Sequence, residues 1–227
     1  MTLKSRKHVL FDLDGTLVDT RAAVVECYRR VFRKHLDIDF PSPGLPVEEL
    51  FAMRPAELFR HVAPDRVEEL HSAYRGFYPE CTALIKVFPG IREMVLGLIE
   101  SGRMVGLVTN KGLERTLIDL GVAKLDPAGF TAIVTAEDTV ERKPDPAPIL
   151  LGLERAGASA AEAVYVGDGP QDILAARAAG MAVISVTYGF YDPALLASHR
   201  PDALAKEPAE LALMLGVGLT AVAGKAR

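Results

Sequence analysis

Residues 10–16 read Leu-Phe-Asp-Leu-Asp-Gly-Thr, two carboxylates two positions apart at the end of an apolar run. His8 to Leu13 has the branched and aromatic character of a buried strand, and Gly15 stops it. In a strand, positions i and i+2 share a face, so Asp12 and Asp14 point the same way if the strand continues. If Gly15 breaks it there, the two carboxylates diverge around one centre. Two like charges ~4 Å apart at an effective dielectric of ~20 cost of order 4 kcal/mol. A hard divalent cation bound by oxygens, typically magnesium, removes that cost. The plainer alternative is a hairpin turn at Asp14-Gly15 with Asp12 incidental.

Three later runs repeat the pattern. Arg103 to Thr109 is a buried-strand run ending in Thr109-Asn110; Thr131 to Ala136 is another, followed by Lys143-Pro144-Asp145-Pro146. Ala163 to Val166 leads into Gly167-Asp168-Gly169-Pro170-Gln171-Asp172. Helical stretches lie between and after them: Ile91 to Glu100, Glu114 to Leu120, Pro146 to Ala156 and Pro170 to Ala179. Strands alternating with helices predict a parallel sheet with right-handed crossovers. All strand ends that carry these polar groups then lie on one edge, the edge where open α/β sheets bind ligands.

The heptad with Asp12 and Asp14, then Thr109, Lys143 and the Gly-Asp-x-x-x-Asp of 167–172, resembles the haloacid dehalogenase superfamily of phosphohydrolases in order, spacing and strand-end location. Phe88-Pro89-Gly90, Val108-Thr109-Asn110-Lys111, Thr187-Tyr188-Gly189 and Pro201-Asp202-Ala203 are similar to its phosphoglycolate phosphatase-like branch. The resemblance runs over residues 6–215. It implies a Rossmann-like parallel-sheet core with a small helical cap inserted after the first strand: core 1–16 and 85–215, cap 17–84, and a C-terminal tail 216–227. It also implies a magnesium-dependent phosphatase that hydrolyses a small phosphorylated metabolite through an aspartyl-phosphate. A phosphoglycolate-like substrate is favoured over pyrophosphate, a sugar-phosphate mutase reaction or a non-catalytic binding module.

By that resemblance Asp12 is the nucleophile, and Asp14 protonates the leaving oxygen and then takes a proton from water. Magnesium is expected on the Asp12 carboxylate, the Asp14 backbone carbonyl and Asp168, with Asp172 assigned to the same site. Thr109 and the Asn110 backbone would bind phosphoryl oxygens, and Lys143 would neutralise nucleophile and phosphate. Taken singly, Thr109-Asn110 reads as a helix cap and Lys143 as a solvated loop lysine. Asp172 reads either as a helix-start residue or as a support behind the metal. Gly169 departs from the family, where serine or threonine is common. Asp14 separates the chain from the metal-free dehalogenases, and Thr16 favours phosphatases over mutases, which often carry valine there.

The chain of 227 residues, 49% hydrophobic, suffices for one α/β core plus a modest insertion. A net charge of −4 gives no reason to expect nucleic acid or an anionic membrane surface as partner. Cys27 and Cys81 lack metal-ligand spacing and suit a reducing cytoplasm. No signal peptide is read at the N-terminus, and no apolar run approaches the ~20 residues of a membrane span.

Residues 16–102 are too long for a simple crossover. Thr20 to Leu36 reads as an amphipathic helix with Val24, Cys27, Tyr28 and Val31 on one stripe and Thr20 as its N-cap. Helices are expected at Pro46 to Met53, Pro55 to Ala63 and Asp65 to Phe77, with Pro41-Ser42-Pro43-Gly44 as a break. Hinges are expected near Val18 to Thr20 and Ala83 to Val87. Arg54 and Arg75 are the cap cations expected to reach substrate, against the alternative of exposed surface arginines.

Overall fold

The structure is a computed structural model that describes residues 2–40 and 53–218. The helix expected at Pro46 to Met53 and the break at Pro41 to Gly44 fall, Met53 apart, outside the described residues.

Strand β1 (His8–Phe11) is the centre of a six-stranded parallel sheet. On one side lie β4 (Met104–Val108) and β5 (Ala132–Val134); on the other lie β6 (Ala163–Gly167), β7 (Ala182–Val186) and β8 (Ala203–Ala205). All five pairings are parallel. Helices α4 (Ile91–Glu100), α5 (Leu113–Val122), α6 (Ala147–Arg155), α7 (Pro170–Ala178), α8 (Pro193–Ser198) and α9 (Pro208–Leu215) make the crossovers and the C-terminal end. This is a Rossmann-like α/β fold, as the sequence predicts.

The period of two in β1 sorts its side chains between two cores. Val9 and Phe11 join Val105, Leu107, Val164 and Val166 beneath α4, α5 and α9. Leu10 joins Val108, Tyr165 and Val183 beneath α6, α7 and α8. The sheet is therefore apolar on both faces, which is why its strands read as continuous hydrophobic runs.

The observed strand β1 stops at Phe11, two residues before the expected end. The Leu13 carbonyl accepts from the backbone N–H groups of Thr16, Leu17 and Val18, curling the chain away from the sheet. Gly15, at φ 74°, supplies the left-handed residue that this curl needs. The strands at β7 and β8 complete the sheet beyond the four that the runs indicated.

Between β1 and α4 the chain leaves the sheet. A short strand β2 (Val18–Asp19) leads into α1 (Arg21–Val31), continued by a π-turn at Phe32–Leu36. Then come α2 (Pro55–Val62), α3 (Val67–Phe77) and a 3-10 segment at Tyr78–Leu84. Strand β3 (Lys86–Val87) returns antiparallel to β2, pairing Val18 with Val87 and Asp19 with Lys86. The two connecting segments thus form a two-stranded ribbon. Val24, Cys27, Tyr28 and Val31 are buried as the stripe predicts. Tyr28 packs at ring-centroid distances of 4.9 Å from Tyr74 and 5.8 Å from Phe59. Thr20 precedes α1, but its hydroxyl does not cap the helix; it donates to the Asp14 carboxylate instead. No helix among the described residues is long and apolar enough to cross a membrane.

Leu10 is fully buried in the central strand, so Leu10→Ala should destabilise by about 3 kcal/mol in urea unfolding. Leu213 is 65% exposed, and Leu213→Ala should stay within about 0.5 kcal/mol of the parent. Equal losses for the two would contradict this placement of the core.

Candidate active site

Parallel register places the site. Phe11 lies opposite Leu107 of β4 and Val166 of β6, so each strand ends within one or two residues of the same line. Asp12, Thr109 and Asp168 are the first residues beyond β1, β4 and β6. The Asp12 N–H still donates to Val166 at 2.8 Å, which fixes its backbone to the sheet. These residues and Asp14, Asn110 and Lys143 line one cleft at that edge.

Lys143 is buried, not a solvated loop residue. Its Nζ pairs with Asp12 Oδ1 at 2.9 Å and donates to Asp172 Oδ1 at 2.7 Å. It also donates to the Val108 carbonyl at 3.0 Å and the Tyr165 hydroxyl oxygen at 2.8 Å. Asp172 is a helix-start residue: its other oxygen accepts from the Gly169 N–H at the start of α7, at 3.0 Å. A Cβ on Gly167 would fall 2.4 Å from the Asp172 carboxyl carbon, so the absence of a side chain there makes room for it.

Asp12, Asp168 and Asp172 each offer a carboxylate oxygen, all within 4.8 Å of one another. Lys143 alone does not neutralise three buried carboxylates. Such an oxygen-only, under-neutralised set fits a hard divalent cation. The Asp14 carboxylate is not in this group. Gly15 shapes the same place: a Cβ there would lie 2.0 Å from Asp168 Oδ2.

Asp14 has its own lysine, which resolves the two arrangements left open by the heptad in favour of divergence. Lys111 Nζ donates to Asp14 Oδ1 at 2.8 Å, to the Tyr78 hydroxyl oxygen at 2.7 Å and to Asp119. The Tyr78 hydroxyl donates to Asp119 Oδ1 at 2.9 Å. The Thr20 and Lys111 contacts both fall on Oδ1 of Asp14, leaving Oδ2 without either.

Thr109 is buried, and its hydroxyl accepts from the Lys111 N–H at 3.2 Å. It does not cap α5, where Gly112 holds that position. The Asn110 side chain exchanges two 3.1 Å bonds with the backbone of Lys143, tying the two loops together. Its own backbone N–H has no hydrogen bond among the described residues. Arg54 lines the cleft. Arg75 does not: it pairs with Glu114 at 3.0 Å on the exposed surface, a link between α3 and α5. That places the expectation for Arg75 off the site, because its position on α3 faces the neighbouring helix.

The sequence reading missed Lys111, Tyr78, Asp119, Arg115 and Arg142. Lys111, Arg115 and Asp119 recur every four residues, the spacing of one helix face. That signal was available. Tyr78 and Arg142 carried none, since only the fold brings them to the cleft.

Burial dominates the site's ionisation. It pushes the Asp12 carboxyl up to about 7, with Lys143 pulling it down and Asp172 and Asp14 adding to the rise. Burial, then Asp172 and Asp12, hold Asp168 well above the carboxylate range. Burial acts the same way on Asp14, but Lys111 and the Thr20 hydroxyl outweigh it and keep that group below its ordinary value. For Lys143, burial is overcome by Asp12 and Asp172, and its ammonium is held firmly.

Residues 9–186 match the haloacid dehalogenase-like hydrolase family. The pyrophosphatase PpaX of Bacillus pumilus is 31% identical over 211 residues, 92% of this chain and 95% of that protein. PpaX of Bacillus velezensis is 30% identical over 226 residues, 96% of this chain and 100% of that protein. Among solved structures, a hydrolase from Pseudomonas syringae superposes with a TM-score of 0.79 at 25% identity, covering 92% of this chain and 98% of that one. CbbY from Rhodobacter sphaeroides, solved in complex with phosphate, shares the fold at a TM-score of 0.76 and 21% identity, covering 89% and 94% of the two chains.

The raised pKa of Asp168 has a consequence for stability without metal. Between its unfolded and folded pKa values the folded state binds the extra proton, so stability falls as pH rises through that window. Asp168→Asn has no such loss. In chelator at pH ~8 it should melt about 3 °C or more above the parent, and the gap should narrow towards pH ~5. A parent that melts higher at both pH values would contradict the burial of an uncompensated charge.

Proposed function

Because the chain belongs to the haloacid dehalogenase-like hydrolases, we propose that it is a magnesium-dependent phosphatase acting on a small phosphorylated metabolite through an aspartyl-phosphate on Asp12. One observation carries the reading: two carboxylates two residues apart at the tip of the central strand, each held by its own buried lysine. That separates their roles, since groups in different environments can act as nucleophile and as acid–base.

Asp12 attacks phosphorus with a carboxylate oxygen, and the bond from phosphorus to the leaving oxygen breaks. Asp14, held ionised at rest by Lys111 and Thr20, first takes up a proton on Oδ2, the oxygen not committed to either, and passes it to the leaving oxygen. Water then attacks phosphorus, gives a proton back to Asp14, and releases phosphate and the free Asp12 carboxylate. Lys143 holds Asp12 in position through both steps, and the Thr109 hydroxyl and free Asn110 N–H receive phosphoryl oxygens. Asp12, Asp168 and the Asp14 backbone carbonyl would hold the magnesium ion, with Asp172 behind through Lys143. Bound there, it offsets the carboxylate charge and that of the phosphoryl group.

Residues 17–84 serve as the cap in this reading, with the β2–β3 ribbon as its connection, and Arg54 is the cap residue that meets substrate. A phosphoglycolate-like monoester remains the first substrate class to test. Pyrophosphate is the second, favoured by the relatives from two Bacillus species, which are pyrophosphatases.

A phosphate-release screen over small phosphorylated metabolites, with pyrophosphate included, tests the reading. Asp12→Asn should lower turnover by about a thousandfold or more while the thermal transition stays cooperative. Chelation should stop turnover and added magnesium should restore it. Turnover that survives in Asp12→Asn, or at full rate in chelator, would overturn the mechanism.

A further inference from the structure

Five cationic side chains line the cleft: Arg54, Lys111, Arg115, Arg142 and Lys143. Three of them are already neutralised by neighbours. Lys143 has Asp12 and Asp172; Lys111 has Asp14 and Asp119. Arg142 has Glu57 at 2.6 Å. Among the described residues, the guanidinium groups of Arg54 and Arg115 form no ion pair and no hydrogen bond, and carboxylates reach them only at longer range, Asp14 for Arg115 and Glu57 and Glu137 for Arg54.

Neither arginine is a loose surface side chain. The Arg115 guanidinium lies over the rings of Tyr74 and Tyr78, at 5.4 and 5.6 Å from their centroids. Aromatic faces orient a guanidinium and attract its charge, but they accept no hydrogen bonds in its plane. Its fork of donors therefore remains available. Arg54 has a buried Nε with no acceptor, an arrangement that costs stability unless something else completes it. The two line the same cleft from different parts of the fold, Arg54 from the start of α2 in the insertion and Arg115 from α5 on the core.

The transferred phosphoryl group already has its own receivers in Lys143, Thr109 and the Asn110 N–H. Two further unpaired guanidinium groups in the same cleft exceed what one phosphoryl group needs. Planar forks match carboxylate or phosphate oxygens in paired bonds. We propose that Arg115, together with Arg54, forms a receptor for a second anionic group on the substrate, a carboxylate or a second phosphate, distinct from the phosphoryl group that is transferred. This rests on the phosphatase reading and adds the residue that sets selectivity. Arg115 acts as a binding residue; its charge also contributes to holding Asp14 below its ordinary value, but it carries no proton itself.

The test separates binding from turnover. Calorimetric titration of the magnesium-loaded protein, at fixed free magnesium, compares methylphosphonate with phosphonoacetate and methylenediphosphonate. At least one of the two-anion probes should bind about tenfold or more tightly than methylphosphonate, and the better of them identifies the second group as carboxylate or phosphate. Arg115→Gln should reduce that advantage to about threefold or less, and Arg115→Lys should recover part of it, since charge is restored without the fork. In kinetics, the loss should fall on KM for two-anion substrates, lowering their kcat/KM relative to that for p-nitrophenyl phosphate.

Should removal of the stacked guanidinium unfold Arg115→Gln, Arg54→Gln, which lies outside the Tyr74–Tyr78 stack, reads the same receptor. No preference for either two-anion probe in the parent, or a preference undiminished in both variants, would overturn the receptor. Absence of turnover on every substrate would overturn the phosphatase reading alone, because the probe affinities do not depend on chemistry.

Discussion

The site depends on one buried ammonium. Lys143 stands among Asp12, Asp172, the Val108 carbonyl and the Tyr165 hydroxyl, and it is 2% exposed. Carboxylates at the ends of β1 and α7's first turn are close to one another because parallel register brings their backbones together, not because their charges favour it. Removing ions from water costs several kcal/mol each, by an order-of-magnitude estimate. Lys143 offsets part of that cost and shares its charge between Asp12 and Asp172. Around Asp168 only the Phe190 N–H, donating at 2.7 Å, and the more distant Lys143 charge work against burial, and that remaining charge is what a divalent cation would offset.

Lys111 repeats the device one step away. Asp12 and Asp14 are separated by a single residue, yet Gly15 and the turn on the Leu13 carbonyl send them to different lysines. The outcome is a pair of carboxylates with opposite tendencies: Asp12 is pushed up to about 7 and Asp14 is held below its ordinary value. A straight strand would have placed both on one face with one counter-charge between them. The glycine at 15 therefore shapes the site as much as the acids it separates.

The sheet and its polar edge were legible in the sequence because both depend on local pattern. Apolar runs of the right length ended in Asp12, Thr109 and Asp168, and parallel topology requires such ends to meet. The insertion's inner stripe at Val24, Cys27, Tyr28 and Val31 was legible for the same reason. What the pattern did not specify was how long side chains are used across elements. Arg75 and Arg115 look alike in sequence, yet one pairs with Glu114 on the surface and the other stands over Tyr74 and Tyr78 in the cleft. Thr20 sits where an N-cap belongs, but an ionised acceptor at Asp14 competes successfully for its hydroxyl. Long-range partners decide such cases, and a single sequence does not list them.

Tyr78 couples the insertion to the core side of the cleft. It belongs to the insertion, yet its hydroxyl receives from Lys111 and gives to Asp119, both on the core side of the cleft. Glu57 with Arg142 and Arg75 with Glu114 cross the same boundary, but they are solvent-facing pairs of small energetic weight. The Tyr78 contact is buried. Withdrawing it would leave the Lys111–Asp119 pair short of a hydrogen bond in a low-dielectric setting, where an unmade bond is costly. The position of the insertion is consequently coupled to the charge balance around Asp14. Because Tyr78 also carries one face of the Arg115 stack, the same tyrosine links the wall that would read the substrate to the carboxylate that would move the proton.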